Sequence, residues 1–322
     1  MDFVSAIISR KTQSVLVPTI ESISCVIVNY ILKMKTVNSS YEIIKPDGKN
    51  IAGMLRFITR CAYTCYKTNK EITDDVAATF VDGLIKSGHT AMLEHGTVYL
   101  SIPVNRISQD VSNKMKLLIS CHLWTRYTEK VIDDMPYVVI VTNFRVIVEN
   151  NLQDFMKRFW YIPTDDELLC RPTVKFICDR GVSHEIVRHR VFSFAMESTR
   201  YCNYSKDKFG NSVTFISPDW MNMADDDEFK KDLETLESIY FKWLDRKKAP
   251  ELARYFLPTG VKTELIVTGF NDDWDHFFDL RALNKTGRAH PDIKKLAEPL
   301  YKEFIKAGII EEKKDNKNLT LN

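Results

Sequence analysis

Between residues 51 and 86 apolar side chains recur at helical spacing, with Met54, Phe57, Ile58 and Cys61 on one stripe and Val76, Phe80 and Leu84 on another, predicting two amphipathic helices. Gly96 then opens a β-branched and aromatic run from 97 to 102. A second such run covers 137 to 148, and both predict sheet strands. The segments 106 to 123 and 150 to 163 carry helical patterns. Asp225, Asp226 and Asp227 are capping residues for a further helix. Its stripe of Phe229, Leu233, Leu236, Tyr240 and Trp243 has the spacing of a face packed into a core. No internal repeat, low-complexity linker or composition break divides the chain, which predicts one domain over residues 34–310.

The two ends differ from this body. Residues 311–322 are polar and charged and predict a fraying tail. Near the start, Arg10 and Lys11 precede an apolar run from 15 to 32, but Glu21 and Asn29 interrupt it and no small-x-small cleavage pattern follows. Residues 1–33 therefore read as a peripheral extension, too polar for a membrane span. Forty-five basic against forty-three acidic residues give a net charge of +2. No whole-chain field then draws nucleic acid or membrane, and any anion site must be local. Seven cysteines, an odd number with no C-x-x-C pair, argue against a disulfide framework or zinc ribbon and for a reducing cytoplasm.

Local anion chemistry is concentrated in one stretch. Arg188-His189-Arg190 is followed after seven residues by Ser198, then by Arg200 and Tyr201. Arginine presents a planar fork of donors suited to phosphate and to a pyrimidine edge, a role lysine does not fill. None of the eleven glycines forms G-x-G, so a dinucleotide would be held by side-chain cations and scattered amides, not by a glycine-rich loop. A zinc-peptidase reading of His184-Glu185 fails, because His189 lies five positions on, about 140° round a helix. His89, Glu94 and His95 read as capping or core hydrogen-bonding residues, with metal ligation the weaker alternative. No metal is expected. Arg254 and Arg281 stand among apolar neighbours and need an anionic or carbonyl partner, either a ligand or one of Asp272, Asp273, Asp275 and Asp279. Ser198 has no triad-like surroundings, so its hydroxyl reads as a binding group, not a nucleophile.

Three motifs, in order, resemble the flavin-dependent thymidylate synthases: Gly88-His89 with Glu94-His95; the Arg188-His189-Arg190 run with Ser198 and Arg200-Tyr201; and Ala253-Arg254 with Leu257-Pro258, then Leu280-Arg281. The resemblance runs from about Tyr41 to Phe304, with residues 101–176 as an extended insertion. It implies an α+β fold with a central, largely antiparallel sheet flanked by helices. It also implies a homotetramer whose sites are shared between subunits. The implied reaction methylates dUMP to dTMP, with methylenetetrahydrofolate as carbon donor, FAD as hydride carrier and NADPH as reductant.

By the same resemblance, dUMP is expected against Glu185, Ile186, Val187, Arg188, Met196, Glu197, Ser198, Thr199, Arg200, Arg254 and Arg281, with Arg281 as the catalytic cation. FAD is expected against His89, Ala91, Arg188, His189, Arg190, Met196, Phe270, Asn271, Asp272 and His276. The chain departs from the family pattern in places. Met196 replaces glutamine or glutamate, Ala91 a hydroxyl residue, Phe270 and His276 asparagines, and Asp272 an arginine. A non-catalytic deoxyuridine-nucleotide-binding protein is the alternative that those departures leave open. A nucleic-acid-binding module is disfavoured by the charge balance.

Overall fold

A computed structural model describes residues 35–220, 226–285 and 287–313. The apolar run at 15 to 32, Asp225 and most of the polar tail lie outside the described residues. In chain order the elements are β1 (Lys35–Val37), β2 (Ser40–Ile44), α1 (Ile51–Tyr66), α2 (Asp74–Lys86), β3 (Thr97–Pro103), α3 (Gln109–Ser120), β4 (Arg126–Ile132), β5 (Met135–Asn143), α4 (Phe144–Glu149), α5 (Gln153–Phe159) and α6 (Asp165–Leu168). The second half holds β6 (Thr173–Asp179), α7 (Arg180–Ile186), β7 (Ser193–Met196), β8 (Thr214–Ile216), α8 (Asp227–Asp245), α9 (Pro250–Ala253), β9 (Lys262–Thr268), α10 (Asn271–Arg281) and α11 (Pro291–Lys306).

The expected α+β architecture with antiparallel sheets is present. One sheet has the order β2-β6-β9-β7 and another β3-β5-β4, with every pairing antiparallel; among the described residues only the short β1–β8 pair is parallel. Each larger sheet has its own core. Trp274, Phe277, Phe278 and Phe304 from α10 and α11 pack on Phe176 and Val267 of the four-stranded sheet. Ile58, Val81, Leu118 and Ile147 pack on Leu100 and Ile140 of the three-stranded one. Phe57 and Cys61 of α1 meet Ala195 and Ile266 and join the two.

Two elements differ from the sequence expectation. The apolar run at 137 to 148 is a strand only to Asn143, whose side chain accepts from Val146 N at 3.0 Å and starts α4. The hairpin β4–β5 was not anticipated, although Asp133 (φ 50°) and Asp134 (φ 61°) form its tight left-handed turn. On α8 the anticipated stripe is the packed face: Leu233 and Tyr240 are buried, and Phe229, Leu236 and Trp243 pack against them.

β9 crosses the centre of the larger sheet and is buried along nearly its whole length. Its polar residues are paired except Thr263, whose buried hydroxyl has no partner. Thr268 shares hydrogen bonds with Thr173 and with His95 Nδ1, each at 2.8 Å. Glu264 is ringed by Lys67, Lys175 (3.0 Å) and Lys262 (2.8 Å). Burial alone would raise the Glu264 carboxyl, but Lys262 and Lys67 pull it down to about 2. Glu264→Leu would leave Lys175 without its anion and Lys67 and Lys262 with Glu197 alone. We expect its unfolding free energy in urea to drop by about 3–5 kcal/mol. The native carboxylate's contribution is full above its ordinary 4.5 and disappears as pH falls toward 2. A loss well under 1 kcal/mol at neutral pH would show that solvent already screens the cluster.

Candidate active site

The three strands β6, β9 and β7 each release their chain into a segment carrying candidate residues. After β6, Asp179 accepts from Val182 N at 2.8 Å and starts α7, which presents Glu185 in its last turn. Ile186 is buried in the core and Val187 caps the helix. The chain then turns through Arg188, His189 and Arg190, with His189 N on Ile186 O and Phe192 N on His189 O, both at 3.1 Å. After β9, α10 ends at Arg281.

Arg281 closes on the α7 end from the opposite side. Its Nη1 donates to Glu185 Oε2 at 2.7 Å, Nη2 to the Glu185 carbonyl at 3.2 Å, and Nε to His189 Nε2 at 3.2 Å. Glu185 is thus the partner of Arg281, and the alternative aspartates are engaged elsewhere. Asp272 and Asp273 pair with Arg126, Asp275 with Lys313, and Asp279 with Lys285 and Lys313. His189 is buried against Phe277 and Phe192, at ring separations of 5.0 and 6.0 Å. Burial, then the charges of Arg281 and His276, lower its pKa to about 4. A neutral ring accepting at Nε2 is the form that Arg281 requires.

The remaining candidates form separate groups. Arg188 and Arg190 are exposed and make no ion pair among the described residues. Beyond β7, Met196 is half-buried, while Glu197 turns inward to Lys262 (2.9 Å) and the Tyr204 hydroxyl (3.3 Å). The Ser198 hydroxyl accepts from Arg200 N at 3.3 Å. Buried Thr199 accepts from Arg254 Nη1 at 3.5 Å, and exposed Arg200 meets Glu251 at 3.1 Å. His89 and Ala91 are exposed at the turn after α2. Glu94 pairs with Arg145 at 2.6 Å, so Glu94 and His95 serve internal hydrogen bonds.

At the start of α10, Phe270 is buried beneath the guanidinium of Arg126, 4.4 Å from its ring centroid. Asn271 Nδ2 donates to Ile309 O at 3.4 Å, and Asp272 is bridged by Arg126 through Nε at 3.0 Å and Nη2 at 3.1 Å. Of the flavin candidates, His189 and His276 are neighbours, with ring centroids 6.2 Å apart. Arg126 was missed by sequence reasoning. Its partner lies 146 positions away, and no local pattern signals such a contact. Glu185 also lines a cavity of about 340 Å³ with Phe215, Trp220, Thr259 and Lys295.

The α+β fold thus holds Arg281 against Glu185 and a buried histidine and presents Arg188 and Arg190 outward. Residues 169–307 match the model of a family described as thymidylate synthase complementing protein. The chain is 26% identical over 193 residues to the flavin-dependent thymidylate synthase of Pyrococcus furiosus, covering 56% of this chain and 77% of that protein. It is 28% identical over 145 residues to the probable flavin-dependent thymidylate synthase of Paramecium bursaria Chlorella virus 1, covering 41% and 67%. With the Pyrococcus horikoshii enzyme of the same name the identity is 31% over 139 residues, covering 40% of this chain and 52% of that one. Over these stretches the chain is similar to the flavin-dependent thymidylate synthases. A solved UMP/dUMP methylase from Streptomyces cacaoi, bound with 5-Br dUMP, aligns over 85% of this chain and 93% of that one at 15% identity and a TM-score of 0.38, too loose a likeness to bear on the site.

The depressed His189 pKa has a measurable consequence. Between its ordinary 6.5 and about 4, the unfolded chain binds a proton that the folded chain does not. The stabilisation from neutral His189 is complete above pH 6.5 and lost as pH falls toward 4, on the order of 3 kcal/mol. His189→Gln should flatten that part of the stability–pH curve in urea titrations. An unchanged slope would place the titrating group elsewhere.

Proposed function

We propose that the chain is a flavin-dependent thymidylate synthase that methylates dUMP to dTMP, using methylenetetrahydrofolate as carbon donor, FAD as hydride carrier and NADPH as reductant. The observation that carries this reading is that the Arg188-His189-Arg190 run, in a segment matching the family model, is joined by Arg281 and Glu185 across two elements.

The exposed guanidinium groups of Arg188 and Arg190 have donors to spare, and they fit the diphosphate of a flavin dinucleotide. FAD, once bound and reduced by NADPH, would supply the hydride. Arg281 stabilises the negative charge that the uracil ring must carry for its fifth carbon to become nucleophilic. Glu185 and His189 fix the guanidinium from two sides, so its orientation is set before the reaction begins. Since His189 Nε2 is occupied by Arg281, it carries no proton to give from that atom. Ser198, Thr199, Arg200 and Arg254 bind the nucleotide as a second polar group. In a single chain no hydrogen bond or ion pair among the described residues connects that group to Arg281, and we propose that a homotetramer with shared sites brings them together. We place the enzyme in the cytoplasm. The six described cysteines are all free, in keeping with a reducing compartment.

A second reading, nucleotide binding without flavin chemistry, is favoured by one observation: Phe270 and Asp272 are both engaged by Arg126. A visible spectrum of the purified protein, followed by anaerobic NADPH with and without dUMP, separates the two. We expect flavin absorption that bleaches faster when dUMP is present, whereas no flavin uptake even from added FAD would favour the second reading. Arg281→Ala should lower dTMP formation by about 10²–10³-fold, as loss of one preorganised donor to developing charge does, while the flavin absorbance per subunit is retained. Parallel loss of flavin and turnover in an intact assembly would remove Arg281 from the nucleotide.

A further inference from the structure

Between the two cores lies an open cavity of about 610 Å³, away from the Glu185–Arg281 contact. Its walls are largely apolar: Ile44, Met54, Phe57, Tyr99, Leu168 and Ile309 come from β2, α1, β3, α6 and the chain beyond α11. Arg171 is set into this lining and is only 5% exposed. Its guanidinium donates to Thr97 Oγ1 at 3.1 Å, to the Glu94 carbonyl at 2.7 Å and to Ser193 Oγ at 3.3 Å, all of them uncharged acceptors.

Arg171 makes no ion pair among the described residues. Of the carboxylates that influence it, Glu94 is paired with Arg145 at 2.6 Å and Asp273 with Arg126 at 3.5 Å. Its Nε has no acceptor, nor does Nε1 of Trp160, a second lining residue. A guanidinium taken from water without a counter-ion is among the costliest arrangements a fold can hold, and an anion delivered from outside would relieve that cost. Burial lowers the Arg171 pKa, as expected for a cation without a close anion. The other charged groups of the lining are Lys45, Lys49, Asp165 and Glu303, and the charges of both lysines act on Asp165. Lys49 meets Asp165 at 2.8 Å, and Glu303 is hydrogen-bonded by the Tyr41 hydroxyl. The volume falls within the roughly 300–1,000 Å³ typical of small-molecule sites.

We propose that this cavity binds an apolar monocarboxylate, its hydrocarbon tail against Met54, Phe57 and Leu168 and its carboxylate answering the charge of Arg171. One guanidinium matches one carboxylate. A phosphate dianion would carry a second, unmatched charge into an apolar wall, and a neutral lipid would leave Arg171 as it is. Arg171 also holds Ser193, the first residue of β7, so the bound carboxylate would lie one hydrogen bond from the strand that follows the Arg188-His189-Arg190 turn.

Calorimetric titration of the full-length protein with decanoate, decanol and decyltrimethylammonium tests this, and needs no turnover. Decanoate should bind one per subunit, with decanol at least tenfold weaker and the ammonium lipid without measurable binding. Arg171→Met should reduce decanoate affinity at least tenfold and leave decanol unchanged. Because Arg171 supports three neighbours, Leu168→Trp is the second variant: it fills the cavity with Arg171 intact and should abolish decanoate binding without altering the flavin spectrum. Decanol binding as tightly as decanoate, decanoate binding undiminished in Leu168→Trp, or displacement of decanoate by stoichiometric FAD would each overturn the proposal. The last would assign the cavity to the flavin.

Discussion

The antiparallel pairing of β9 with β6 on one side and β7 on the other is the constraint from which the site follows. Its register places Thr173 and Ser193 both opposite Thr268, so the two flanking strands are aligned at one end of a single buried strand. A one-residue slip would invert every side chain of β9 between the two faces of the sheet, driving Glu264 out of its lysine ring and Thr268 away from His95. With the register fixed, the segments after β6 and β9 meet. Glu185 and His189 come from the first, and Arg281 from the second. The segment after β7 carries Ser198 to Arg200 to a separate position.

Paired charge is the second theme, and the exceptions are informative. Glu264 and Glu197 are nearly buried but enclosed by lysines, and Arg281 has its carboxylate and its neutral histidine. Arg126 covers the start of α10, meeting Asp272 and Asp273 while its guanidinium lies over Phe270. There the long middle segment holds the acidic end of α10 through charge, in a place where an arginine would be repelled by Arg126 itself. Against that background the buried, unpaired Arg171 and the outward Arg188 and Arg190 stand apart. The first lines an apolar cavity and the others face solvent.

The sequence by itself determined the helices whose apolar faces repeat, the strand at 97 to 102, and the candidate chemistry of the Arg188-to-Ser198 stretch. Amphipathic period and motif spacing are properties of neighbours along the chain. It did not show the hairpin β4–β5, because half of its residues are exposed and the alternation there is weak; only the turn at Asp133 and Asp134 signalled it. Nor did it show where the apolar run at 137 to 148 changes to helix, since one side-chain cap at Asn143 decides that. Tertiary structure alone chose Glu185 over four nearer aspartates as the partner of Arg281, brought Arg126 to Asp272, and left Arg171 buried without an anion. Such pairings depend on which distant backbone segments the sheet register brings within a few ångströms, and a side chain's type fixes what it can bond, not what it will find there.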